Sequence, residues 1–178
     1  MKFMDLPAEF SGEDSRFLLL GMPFSGRVTY GGGNEEGPNA IIQASRHLEW
    51  YDEEFDSEPY RSGIRTLMLQ LADKSPKEAM AHITEAVKEH GDKFILALGG
   101  SHATGIGILE ALDDFSVLQL DAHPDLFYSW QNSEYNHRCF GHKARERAKH
   151  LVQVGVRSME VDEKRLMDGM TCISDREF

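Results

Sequence analysis

The chain has 178 residues, 40% of them hydrophobic, and carries 30 acidic against 19 basic side chains for a formal charge of -11. That length suits a single domain over 1–178 with a sizeable core, and no apolar run approaches the ~20 residues that span a bilayer. The acidic balance argues against a nucleic-acid partner, whose phosphates need clustered Lys and Arg. Met1 to Pro7 lacks the apolar core of a secretory leader, so a cytoplasmic location is expected.

Taken in chain order, Arg16-Phe-Leu-Leu-Leu-Gly21 reads as a first strand. Gly37-Pro38 then opens a helix over about Asn39 to Tyr51, with proline tolerated near its start. A linker rich in Asp, Glu and Ser leads to a strand near Ile64 to Gln70. Ser75-Pro-Lys-Glu78 has the pattern of a capping box and predicts a helix to about His90. Phe94 to Leu98 is the next strand, Ala103 to Leu112 a helix, and Ser116 to Leu120 another strand. The loop Leu126 to Asn136 carries Phe127, Tyr128, Trp130 and Tyr135. A helix near Phe140 to Lys149, a strand Leu151 to Val156, a helix near Glu160 to Met167 and the start of a strand at Thr171 to Ser174 complete the reading. The basic stretch Arg138 to Lys149, interrupted by Glu146, is expected to be a solvated helix face. Strands that are continuously apolar and alternate with helices indicate an α/β fold with a parallel sheet covered on both faces. In such sheets ligands sit outside the carboxyl ends of the strands.

Chemistry concentrates at two of those ends. Asp121-Ala-His-Pro-Asp125 follows the run ending at Leu120, and Gly99-Gly-Ser-His102 follows the run ending at Leu98. Carboxylates crowded at a strand end repel one another, and a divalent cation relieves that repulsion. Alternation after the strand lets Asp121, His123 and Asp125 turn inward while Ala122 and Pro124 point elsewhere. Aspartate oxygen with imidazole nitrogen suits Mn, Fe, Co, Ni or Zn, and the lack of thiolate spacing disfavours a structural zinc site. An aspartate with two oxygens could bridge two metals ~3.5–4 Å apart and polarise a water between them, which implies hydrolysis. The alternative is that both aspartates cap the following turn and the histidines are ordinary. Cys139 and Cys172 form no CxxC pair and read as reduced thiols, the first close to the candidate site.

These segments resemble a known family. Gly99-Gly-Ser-His102 is similar to the GGDH[S/A] motif of the ureohydrolases, which include arginase and agmatinase, and Asp121-Ala-His-Pro-Asp125 to their DAHxD motif. Gly21-Met-Pro23, Gly33 to Ile41, Asn136-His-Arg-Cys139 and Gly155-Val-Arg-Ser158 resemble further family segments in the same order, with Ile42 where arginine is usual. The resemblance implies an arginase-like fold, a three-layer α/β/α arrangement around a mostly parallel sheet, and a dinuclear Mn(2+) site that hydrolyses a guanidino compound to urea and an amine. It implies that His102 and Asp125 bind one Mn, His123 the other, and that Asp121 bridges them. His137 would act as the catalytic proton shuttle and, with Asn136, contact substrate; imidazole suits that role because it titrates near neutral pH. It further implies a homo-oligomer, trimer or hexamer. The aromatic loop with Glu134 looks less like an arginase loop and favours agmatine, a cation at both ends, through charge and cation–π contact. Agmatine to putrescine is therefore the expected reaction, with arginase or guanidinobutyrase activity as the alternative.

Two departures from the family pattern stand out. Ser101 replaces the usual aspartate before the ligand histidine, a change of the kind that alters ligand orientation. Beyond Asp125 there is no DxD segment, so the expected domain is truncated at its C-terminal end, with an uncovered sheet edge. Three readings stay open: a fragment of an agmatinase-like enzyme, a catalytically incomplete binding or regulatory relative, or a chain whose sheet and site another polypeptide completes.

Overall fold

The computed structural model describes residues 1–26 and 31–177. Its regular elements are β1 (Phe17–Met22), α1 (Gly37–Ala44), β2 (Ile64–Met68), α2 (Pro76–Glu89), β3 (Phe94–Gly99), α3 (Ala103–Ala111), β4 (Ser116–Leu120), α4 (Phe140–Arg147), β5 (His150–Val156), α5 (Val161–Leu166) and β6 (Thr171–Ser174). Every strand pairing is parallel. The α/β alternation read from the apolar runs is therefore the architecture of the chain.

The expected single sheet is two sheets of three strands, ordered β2-β1-β3 and β4-β5-β6. A parallel strand must find its partner across a long crossover, and the apolar run that marks a strand is silent about which neighbour it meets. Packing starts on one face of the first sheet. Leu18, Leu20 and Met22 of β1 join Ala79, Met80, Ile83, Ala86 and Val87 of α2 and Ile106 of α3 in a buried cluster. Gly107 is where α2 and α3 meet: a Cβ there would come within 2.8 Å of the Ile83 Cβ. The opposite face is covered in part by α1 and the N-terminal turns. Ile42 is fully buried there, and the Phe3 amide donates to Thr66 Oγ1 at 2.9 Å.

Local signals account for most boundaries. Ser75 accepts from the Glu78 amide at 3.4 Å while Glu78 accepts from the Ser75 amide at 2.9 Å, so the capping box opens α2 as its residues require. The first helix is shorter than its composition suggests and gives way to a 3₁₀ turn at Ser45–His47. Buried Ser45 explains the stop. Its hydroxyl donates to the Ile42 carbonyl at 2.6 Å and accepts from the Met4 amide at 2.8 Å, drawing the chain out of the helix toward the N-terminal segment. The basic stretch beginning at Arg138 also departs from a merely solvated face: Arg138 and Lys143 are mostly covered and ion-paired.

Candidate metal centre

At the end of β3 the chain turns through Gly99 and Gly100 against the backbone of two other segments. A Cβ on Gly100 would lie 2.7 Å from the Phe24 carbonyl and 2.8 Å from the Asn34 carbonyl, so that approach requires glycine. Ser101 then shapes the turn into α3, whose N-cap residue is His102. The Ser101 hydroxyl accepts from the Ala103 amide at 3.1 Å and its carbonyl from Thr104 Oγ1 at 2.7 Å. The residue that replaces the family aspartate thus shapes the turn that presents His102. The His102 ring stacks on Phe140, with centroids 4.7 Å apart.

At the end of β4, Asp121 keeps its amide on β5, donating to the Val154 carbonyl at 3.0 Å. Its Oδ1 accepts from the His123 amide at 2.9 Å, a local turn that aspartate favours. Asp125 is buried and adopts φ = 52°, a left-handed conformation that aspartate tolerates. The two strand ends meet here. His102 Nδ1 lies 2.8 Å from Asp125 Oδ2 and 3.2 Å from Asp121 Oδ2. On the other side of Asp121, His123 Nδ1 lies 3.5 Å from Oδ1. Asp121 therefore stands between two imidazoles with one carboxylate oxygen toward each.

The ligand atoms of His102, Asp121 and Asp125 fall within 4.8 Å of one another, a donor set of one imidazole nitrogen and two carboxylate oxygens. His123 stands outside that group, its side chain largely exposed. Burial pushes the His102 imidazolium toward losing its proton, but the Asp125 hydrogen bond and the charges of Asp125 and Asp121 outweigh it and raise the pKa above 6.5. The carboxylates thus favour a positive charge between them, and a divalent cation fits the donors by the same electrostatics.

His137 starts a 3₁₀ turn at His137–Cys139 and lines a cavity of about 390 Å³ together with His123, Asp125, Arg138, Ser158 and Glu160. The cavity brings His137 beside the aspartate cluster. Asn136 is placed differently. It is buried, its Oδ1 accepts from the Arg138 amide at 3.1 Å, and it borders a separate cavity of about 370 Å³ near Ser75 and Gln131. Its observed work is capping the turn that carries His137.

The aromatic loop behaves otherwise than expected. Phe127 and Trp130 offer their faces to Arg138, whose guanidinium carbon lies 4.3 and 4.0 Å from their centroids. Glu134 pairs with Lys143 at 2.5 Å. The cation–π and acidic groups assigned to a substrate are thus engaged by cations of the chain itself. Arg138 in turn sits 3.1 Å from Glu160 and 3.7 Å from buried Glu163. Glu163 accepts from the Leu126 amide and the Glu160 amide, each at 3.1 Å, and so ties the loop to α5. Sequence reasoning missed Glu163 because it falls in the first turn of a helix, where glutamate is ordinary. It also missed Gln153, whose Nε2 donates to Gln119 Oε1 at 2.8 Å and to the Pro124 carbonyl at 2.7 Å beneath the cluster. Glutamine inside an apolar strand is the signal that could have marked it.

Comparison with known proteins agrees with this geometry. The arginase family model matches residues 15–178. The chain is 34% identical over 167 residues to an N(1)-aminopropylagmatine ureohydrolase of Thermus thermophilus, covering 86% of this chain and 55% of the relative. It is 31% identical over 166 residues to an agmatinase of Pyrococcus horikoshii, covering 87% and 56%. Among solved structures, the agmatine ureohydrolase of Thermoplasma volcanium superposes with a TM-score of 0.88 at 24% identity, covering 99% of this chain and 62% of that one. The chain spans about half the length of the curated relatives it matches.

Proposed function

The chain belongs to the arginase family, and from that premise we propose that it carries the metal-binding end of a site that hydrolyses a guanidino compound to urea and an amine. The observation that supports this reading most directly is Asp121 standing between His102 and His123 with Asp125 closing the group. A bridging carboxylate needs a partner on each oxygen. His102 and Asp125 would hold one divalent cation and His123 would reach toward a second, with Asp121 shared. Mn(2+) is the cation proposed. When bound, such an ion supplies a polarised water that can attack at neutral pH.

The remaining roles fall to side chains of this chain. Water adds to the guanidinium carbon, the C–N bond to the amine breaks, and the departing nitrogen takes up a proton. His137, which lines a cavity with His123 and Asp125, would carry that proton. Asn136 would support it by fixing the turn. Buried Asp125 shields one side of the cluster from bulk water, which strengthens the electrostatics there. The names of the similar proteins point to agmatine or its aminopropyl derivative as substrate.

The test is Mn(2+) titration by calorimetry followed by urea release from agmatine, N(1)-aminopropylagmatine, arginine and guanidinobutyrate. Asp121→Asn is expected to weaken binding at least ~10-fold, the lower range for disturbed metal sites. Failure of the purified chain to bind Mn(2+) at millimolar concentration would sink the reading, as would urea release indifferent to Asp121→Asn.

A further inference from the structure

Gln119 of β4 and Gln153 of β5 are the polar members of two otherwise apolar stretches, Val117 to Leu120 and Leu151 to Val156. They are register partners across the strand pairing and are 3% and 0% exposed. Gln153 Nε2 donates to Gln119 Oε1 at 2.8 Å and to the Pro124 carbonyl at 2.7 Å. Gln119 Nε2 donates to the His123 carbonyl at 3.4 Å. Both carbonyls belong to the turn that carries Asp121, His123 and Asp125. Among the described residues, no backbone amide reaches either of them. The flanking groups of the turn are tied elsewhere: the Asp121 amide to Val154, the Asp125 carbonyl to the His142 amide and the Leu126 amide to Glu163. The middle of the turn therefore hangs on two side chains that rise from the strands beneath it.

An apolar residue at either position would continue the strand pattern without burying an amide. A buried amide is favourable only when its polar atoms are met, and Gln153 Oε1 meets no donor among the described residues. The pair is thus a poor choice for stability alone and a specific one for holding a turn. From this geometry we infer that Gln119 and Gln153 are positioning residues that set where Asp125 and His123 present their ligand atoms. Each contacts the main chain of the turn rather than a ligand side chain, so the effect passes through the backbone. Asp125 directly follows Pro124, and its Oδ2 lies 2.8 Å from His102 Nδ1. A shift of the Pro124 carbonyl is therefore a shift of the cluster, whose members must be held to within ~0.5 Å to bind as a set. That the set serves a divalent cation rests on the family reading; the hold on the turn does not.

The test measures stability, metal affinity and amide exchange on the same folded chains. Gln153→Met leaves the Pro124 carbonyl and Gln119 Oε1 without this donor and is expected to lower Tm by roughly 2–8 °C. Adding Gln119→Met removes the second amide as well, so the double variant is expected to recover at least about half of that loss. Mn(2+) affinity by calorimetry is expected to fall at least ~10-fold in both variants and not to recover in the double variant. With EDTA present, the His123 and Asp125 amides are expected to exchange at least ~10-fold faster in both variants than in the parent. Affinity that recovered together with Tm would mark the pair as ordinary core and overturn the inference. Parent-like exchange in either variant would overturn it too, as would a double variant that is unfolded by circular dichroism. A parent that binds no Mn(2+) would sink the proposed hydrolysis instead, and the metal-free exchange would then decide the inference by itself.

Discussion

Replacing Gly141 by alanine tests how rigidly the Pro124–Asp125 turn of the candidate metal site is held. Gly141 lies in the first turn of α4, and a Cβ built there would sit 2.0 Å from the Pro124 carbonyl and 3.1 Å from the Asp125 carbonyl. Real Cβ contacts essentially never fall below 3.0 Å, so helix and turn must part by about 1 Å. Neither side is free to give. The His142 amide donates to the Asp125 carbonyl at 3.0 Å, and Gln153 Nε2 donates to the Pro124 carbonyl at 2.7 Å. Overpacking of this kind costs ~1–3 kcal/mol, offset by up to ~1 kcal/mol of better helix propensity for alanine. Because the 2.0 Å contact is with a backbone oxygen, the upper part of that range applies, and the expected net loss is ~1–2 kcal/mol by urea denaturation, a fall in Tm of roughly 2–8 °C for a chain of this size. Asp125 Oδ2 moves with its backbone away from His102 Nδ1, now 2.8 Å distant, so Mn(2+) affinity should fall ~10–100-fold. Gly37→Ala is the control, since nothing lies within 4 Å of a Cβ there and no loss is expected. A Gly141→Ala chain that matched the parent in both stability and Mn(2+) affinity would refute the reasoning, and so would an equal loss in the control.

Three further outcomes can be checked on the same material. Glu163→Ala removes the acceptor of the buried Leu126 amide and should cost ~1–3 kcal/mol in denaturant, with Glu163→Gln milder because it keeps an oxygen; equal stability of parent and alanine variant would count against the tie between loop and α5. Burial pushes the Cys139 thiol up to about 11, so at pH 8 it should react with a thiol reagent on the order of 100-fold more slowly than in urea; comparable rates would show the thiol to be open. His102 has a pKa raised above 6.5 in the metal-free fold, so its contribution to stability is complete below ~6.5 and is lost as pH rises through the folded value. Proton and metal compete for the same nitrogen, so Mn(2+) affinity should rise over that same window. A His102 NMR titration with a midpoint at or below 6.5 would contradict both statements.

How much of this was legible in the residues follows from the range of each interaction. Apolar runs, caps and turns are local, so the strands and most helices could be placed from their own composition. The convergence of His102, Asp121 and Asp125 was legible for a related reason: strand-end residues in a parallel sheet converge by topology, and that rule needs no side-chain detail. What failed was long-range. Phe94 and Leu118 look like interior residues of central strands, since an apolar run is identical whether both edges are paired or one is bare. Their exposure became visible only with the strand order. The partner of the aromatic loop was hidden for the same cause. Its rings and Glu134 read as an entrance for a cation, and the fold brings Arg138 onto Phe127 and Trp130, a cation eight residues from Trp130 that holds the loop to Glu160 and Glu163. Replacing Arg138 should therefore loosen the loop, an outcome that faster exchange of the Phe127 and Trp130 amides would show and unchanged exchange would refute.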